Sequence, residues 1–126
     1  MRVITGTARG RVLRTLEGED VRPTTDRVKE AVFSIIQFEI EGRRVLDLFA
    51  GSGQLGIEAL SRGAASATFV DMSKDSLSAV KYNLEHTKLG DNAKVVQTDA
   101  LSFLKLTKDK FDIVFLDPPY ASSLVT

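Results

Sequence analysis

The segment FDIVFLDPPY, residues 111–120, carries an apolar run directly into Asp117-Pro118-Pro119-Tyr120. A carboxylate, a rigid turn and an aromatic ring thus follow what reads as a buried strand. Proline fixes φ and removes a backbone donor, so the Pro118 carbonyl is held in position and available to accept. Two acceptors, the Asp117 carboxylate and this carbonyl, suit an exocyclic base amine. Such a nitrogen is a poor nucleophile because its lone pair is delocalised into the ring. Binding both N–H groups favours a pyramidal nitrogen with an available pair. Asp117 also stabilises the positive charge that develops as the amine takes a methyl group, and Tyr120 can stack on the base. The plainer reading, a proline turn closing a strand, leaves the acid and the aromatic without a purpose.

A second group lies upstream. In LDLFAGSGQLG, residues 46–56, Gly51, Gly53 and Gly56 have G-x-G-x-x-G spacing between an expected strand and an expected helix. Glycines there permit a tight turn and close approach of a ligand to the backbone. The spacing alone fits NAD, FAD or S-adenosylmethionine (SAM), as well as a structural turn. Asp71, 20 residues after Gly51, can accept ribose hydroxyls or serve as a turn or cap. Asp47 sits inside an apolar strand, where a charge needs a partner. The amino group of a SAM methionine moiety would be one, whereas a pyrophosphate would be repelled, which disfavours a dinucleotide dehydrogenase. Asp99 can accept from an adenine amine or cap a helix.

These residues need a frame. Apolar strands at 44–49, 67–71, 93–97 and 111–116 alternate with helices: one after the glycine loop ending near Gly63, one over about 75–88 stopped at Gly90 with Ser73 as a cap, and a short one at 100–106. That alternation predicts an α/β fold with a parallel sheet covered on both sides. The ends of its strands are where ligands bind. Before it, RPTTDRVKEAVFSIIQF starts with Pro23 and a Thr24 or Thr25 cap. Its apolar face is expected at Val28, Ala31, Val32, Ile35 and Ile36. The first segment, RVITGTARGRVLRTL, reads as a β-hairpin or arm with arginines outward. Residues 1–41 and 42–126 form two parts, an arm with a helix and a binding core. The core shows four strands, so C-terminal strands are expected to be missing, leaving an apolar sheet edge unless another chain covers it.

Of 126 residues 43% are hydrophobic, enough for a core, and there is no cysteine, which excludes disulfides and thiolate metal sites. A single histidine, His86, excludes an all-histidine zinc site within one chain and reads as a surface residue; no metal is expected. Without an apolar run of about 20 residues or a signal-peptide core, the expectation is a soluble, cytoplasmic, monomeric protein with no membrane partner. Net charge is zero, but residues 1–14 hold Arg2, Arg9, Arg11 and Arg14 with no acid. A basic arm on a mildly acidic body suggests contact with a polyanion.

The DPPY tetrapeptide resembles the Asp/Asn/Ser-Pro-Pro-aromatic motif of amino-methyltransferases acting on adenine, cytosine or guanine. LDLFAGSGQLGIEAL and RPTTDRVKEAVF, with the arm's Gly6, Gly10, Arg11 and Leu13, resemble the RsmD family, which methylates N2 of a guanine in bacterial 16S rRNA. The resemblance covers essentially the whole chain. It implies a Rossmann-like class I SAM-dependent methyltransferase, with a parallel-sheet core, an N-terminal β-hairpin arm and, as partner, 16S rRNA or an assembling small subunit. Asp47, Phe49, Gly51, Gly53, Asp71, Met72, Asp99, Ala100 and Thr24 would bind SAM. Asp117, Pro118, Pro119 and Tyr120 would hold the guanine, and Arg9, Arg11 and Arg22 the RNA. Two other readings remain: amino-methylation of adenine or cytosine in DNA, and a truncated SAM-binding module without activity.

Overall fold

The computed structural model describes residues 2–14 and 26–116. After α1 (Asp26–Ile36) the chain alternates strand and helix: β1 (Arg44–Asp47), α2 (Gln54–Ser61), β2 (Ser66–Asp71), α3 (Lys74–Thr87), β3 (Ala93–Gln97), α4 (Ala100–Leu106) and β4 (Ile113–Phe115). The four strands pair in parallel in the order β3-β2-β1-β4. The order reverses at β1, so a crevice opens between the ends of β1 and β4, the usual binding position in open α/β sheets.

Both sheet faces are buried, which explains the nearly continuous apolar strands. Val45, Ala67 and Phe69 join α2, α3, Phe33 of α1 and the arm's Val3, Ala8 and Leu13 in one cluster. Leu46, Leu48 and Val70 meet Phe103 of α4 on the opposite face. Among the described residues, β4 is an edge: Val114 and Leu116 are exposed, as are Leu101 and Leu104 on α4. No described helix is long and apolar enough to cross a membrane.

Two expectations need correction. The inward face of α1 is Lys29, Val32, Phe33 and Ile36, whereas Val28, Ala31 and Ile35 are exposed. The helix is turned because Lys29, 0% exposed, reaches Glu58 of α2 at 3.3 Å and donates to the Arg2 carbonyl at 2.9 Å. The same turn buries Phe33, which the expected stripe omitted, against Phe115 with ring centroids 5.4 Å apart. Helix α3 spans Lys74–Thr87, close to the 75–88 expected, but Gly90 is not the residue that stops it. The helix ends at Thr87 because Lys88 takes a left-handed conformation (φ 61°), and Gly90–Asn92 form a separate 3₁₀ turn. At its start Ser73 is the cap, accepting from the Ser76 N–H. The Thr24 or Thr25 cap lies outside the described residues.

The arm closes on itself by one antiparallel bridge, Arg2 with Val12, and lies along α2. Glu58 accepts from the Ile4 and Thr5 N–H groups at 2.8 and 3.0 Å. Ser61 accepts from Thr7 N–H at its carbonyl and from Ala8 N–H at its Oγ, and donates to the Thr5 carbonyl. Gly6 makes this approach possible: with φ 94°, a Cβ there would lie 1.9 Å from the Ser61 carbonyl oxygen. Every residue of α2 is consequently buried, its polar face of Glu58 and Ser61 included, because the arm covers that face.

Candidate functional site

The glycine loop connects β1 to α2 across the crevice. Gly51 and Gly53 both have positive φ, 57° and 84°, a conformation that other residues adopt with strain. Gly53 is the N-cap of α2 and has no side chain with which to satisfy the helix's first N–H groups. Asp47 does so from the preceding strand. Its carboxylate, 1% exposed, accepts from the Gly56 N–H at 3.0 Å. The buried charge thus has a partner within the chain, at the positive end of a helix. Gly56 itself serves packing, since a Cβ there would lie 2.4 Å from the Phe69 ring.

Asp71, at the end of β2, holds the other side of the loop. One oxygen accepts from Gly51 N–H at 2.9 Å and the other from Ser73 N–H at 2.8 Å. A carboxylate offers about four lone-pair sites, so capacity remains for a ligand's hydroxyls. Thr98 N–H donates to the Asp71 carbonyl, joining the ends of β2 and β3. Asp99 caps α4, accepting from Ser102 N–H and from Ser102 Oγ, both at 2.8 Å. These backbone and side-chain hydrogen bonds hold its carboxyl below the ordinary aspartate value. The cap expected as one of its two roles is therefore present. Phe49 and Ala100 each pack on the Leu46, Leu48, Val70 and Phe103 cluster, giving the region an apolar wall. Met72 is largely exposed beside it.

Asp47, Phe49, Gly51, Gly53, Asp71, Met72, Asp99 and Ala100 thus all lie at or just after the carboxyl ends of β1, β2 and β3. Thr24, Arg22 and the whole Asp117–Tyr120 segment lie outside the described residues. Arg9 and Arg11 are exposed on the arm. An open cleft of about 420 Å³ separates the arm from α1, lined by Arg2, Arg9 and Arg27 with one acid, Glu30. None of the three arginines has an ion pair with a described residue. Sequence reasoning missed Arg27, the Lys29–Glu58 pair and Asn83. Glu58 gave no signal of its burial, because with Gln54 and Ser61 it forms a polar stripe along α2 that reads as a solvated face.

The residues at the strand ends fit an adenosyl ligand with an amino-acid tail. A Cβ at Gly51 would meet nothing within 4 Å, so that side of the loop is open. Asp71 keeps acceptor capacity, the Phe49–Ala100 wall is apolar, and Gln54 Oε1, just past the loop, is buried without a hydrogen-bond partner among the described residues. Among the described residues no cluster of acids or histidines could hold a metal ion.

Comparison with known proteins gives the family. Residues 1–126 match the family described as Conserved hypothetical protein 95. Ribosomal RNA small subunit methyltransferase D of Haemophilus influenzae is 44% identical over 127 residues, covering 98% of this chain and 66% of its own length. The Escherichia coli protein of the same name is 44% identical, covering 99% and 63%. The solved yhhF structure from Escherichia coli superposes with TM-score 0.86 at 45% identity, covering 98% of this chain and 67% of that one. Another solved structure, complexed with SAH, gives TM-score 0.64 at 26% identity over 71% of this chain and 25% of its own. The chain spans about two thirds of the length of the curated relatives it matches.

Proposed function

The chain belongs to the RsmD family, and from that premise we propose that it carries the cofactor side of a SAM-dependent methyltransferase acting on the N2 amine of a guanine in small-subunit rRNA. The observation that carries this reading is the glycine loop held open at the β1 end by Asp47 and Asp71, with DPPY following β4 directly in sequence. Relatives named as small-subunit rRNA methyltransferases support the RNA substrate class. The guanine and its N2 atom rest on the family resemblance.

In this reading the loop amides and Asp47 face the methionine end of the cofactor. Asp71 takes the ribose hydroxyls, and Asp99 with Ala100 borders the adenine. Bound SAM supplies a methyl group on a sulfonium, with a good leaving group already built in. The chain then has to position and polarise the acceptor. Asp117 and the Pro118 carbonyl accept the two amine N–H groups, Pro119 stiffens the turn, and Tyr120 fixes the base plane. The Asp117 carboxylate offsets the positive charge that grows on nitrogen. Arg2, Arg9 and Arg27 around the arm cleft, together with Arg11, provide the cationic surface for the RNA backbone; Arg22 joins them from the segment before α1.

The test is methyl transfer from labelled SAM to small-subunit rRNA and to assembled small subunits, with nucleoside mass spectrometry of the product. N2-methylguanosine is the expected product. Asp117→Ala should abolish transfer while leaving SAM affinity within about twofold. Methylation of another base, or transfer that survives Asp117→Ala, refutes the assignment.

A further inference from the structure

Asn83 lies on the inner face of α3, between Val80 and Leu84, and is 0% exposed. A buried amide must find partners, and those of Asn83 come from two distant parts of the chain. Its Oδ1 accepts from the Arg14 N–H at 2.7 Å, and its Nδ2 donates to the Arg14 carbonyl at 2.9 Å. One side chain therefore satisfies both backbone groups of Arg14, as a neighbouring strand would. The same Nδ2 donates to the Ser52 carbonyl at 2.9 Å. Ser52 sits between Gly51 and Gly53, at the centre of the glycine loop. The preceding residue of α3, Tyr82, lies under the Arg14 guanidinium, 3.8 Å from carbon to ring centroid. Arg14 is thus fixed by backbone and side chain together. It is also the last described residue before the stretch that carries Arg22 and Thr24.

We propose that Asn83 is a positioning residue that couples cofactor binding at the glycine loop to the setting of the arginine arm. This rests on the reading of the loop as a SAM site. The coupling needs no movement of α3. Two Nδ2 hydrogens serve two carbonyls, so a loop that settles on its ligand fixes the amide, and the amide then fixes Arg14. Linkage is reciprocal, and an arm ordered on RNA must tighten cofactor binding by the same factor. One hydrogen bond's net contribution corresponds to about 3- to 10-fold in an equilibrium constant, which sets the size of the effect.

The first measurement uses the unaltered chain. Amide hydrogen exchange is followed with and without saturating SAH. Arg14 N–H exchange should slow about 3- to 10-fold more than that of Val3, whose N–H bonds to the Arg11 carbonyl in the same arm and has no link to Asn83. In the second, SAH affinity is measured calorimetrically with and without a small-subunit rRNA transcript. The unaltered chain should show a several-fold mutual tightening that Asn83→Leu and Asn83→Asp both lose. Asp keeps the acceptor for Arg14 N–H but sets oxygen against two carbonyls.

Thr87→Val is the stability control, because among the described residues that hydroxyl bonds only to the backbone carbonyls of Asn83 and Leu84 in its own helix and leaves the Asn83 side-chain amide untouched. It should lower the melting temperature and keep the tightening. Equal slowing at Arg14 and Val3 overturns the coupling, as does tightening that survives in Asn83→Leu or disappears in Thr87→Val. A chain that binds no SAH overturns the reading of the loop itself, which is a separate result.

Discussion

Gly6 and Gly10 have nearly the same backbone conformation, φ 94° and 85°, but opposite surroundings. A Cβ at Gly10 meets nothing within 4 Å, whereas one at Gly6 would overlap the Ser61 carbonyl. Alanine at either position has the same backbone penalty, roughly 1–2 kcal/mol for a left-handed L-residue. Gly10→Ala should show that and little more. Gly6→Ala must also push the arm off α2, breaking Thr7 N–H to Ser61 O, Ala8 N–H to Ser61 Oγ and Ser61 Oγ to Thr5 O. At roughly 0.5–1.5 kcal/mol each, these add about 2–4 kcal/mol. For a chain of this size 1 kcal/mol moves Tm by about 4 °C. Calorimetry should therefore place Gly6→Ala about 8–15 °C below Gly10→Ala. Amide exchange should show protection lost at Thr7 and Ala8 but kept in β1 and β2. Equal melting temperatures for the two variants, or unchanged protection at Thr7 and Ala8, would refute the account of the arm as docked through Ser61.

Glu58→Gln deprives the buried Lys29 of its carboxylate and should cost about 3–5 kcal/mol in urea denaturation. Adding Lys29→Met should recover much of that loss. Asp47→Ala removes the acceptor for the Gly56 N–H; it should destabilise the chain by about 1–2 kcal/mol, as loss of a helix cap does, and weaken SAH binding in calorimetry. Asp99 titrates below the ordinary aspartate value because Ser102 holds its ionised form. A carboxyl depressed on folding adds stability that is complete above the unfolded value and lost as pH falls through the folded one. Wild type should therefore lose more stability than Asp99→Ala between pH 6 and pH 3 in matched urea melts.

What was legible in the sequence was local or periodic. Alternating apolar strands and helices predicted the parallel sheet, Ser73 declared itself a cap, and the spacing of Gly51, Gly53 and Asp71 pointed to the carboxyl end of that sheet. The face of α1 was misread because an apolar stripe takes no account of a buried Lys29. Its carboxylate is 29 residues away, on another helix. Asp47 looked like a charge in need of a partner, and nothing in LDLF reveals that the Gly56 N–H is one once the loop turns back. Asn83 gave no local sign at all. Its partners are 31 and 69 residues away, and a lone asparagine on a helix usually indicates only a polar position.

The docking of the arm has a consequence for biosynthesis. Ile4, Thr5 and Ala8 are made before their hydrogen-bond partners on α2, which lie 53 or 54 residues later, and that of Arg14 lies 69 later. At about 5–20 residues per second, the amino-terminal arginines wait several seconds or more before their binding surface exists. During that interval they are an unfolded cationic tail beside the ribosome. The contact of Arg14 with α3 cannot close before Asn83 has been made, so slowing of synthesis before that residue lengthens the exposure of the tail.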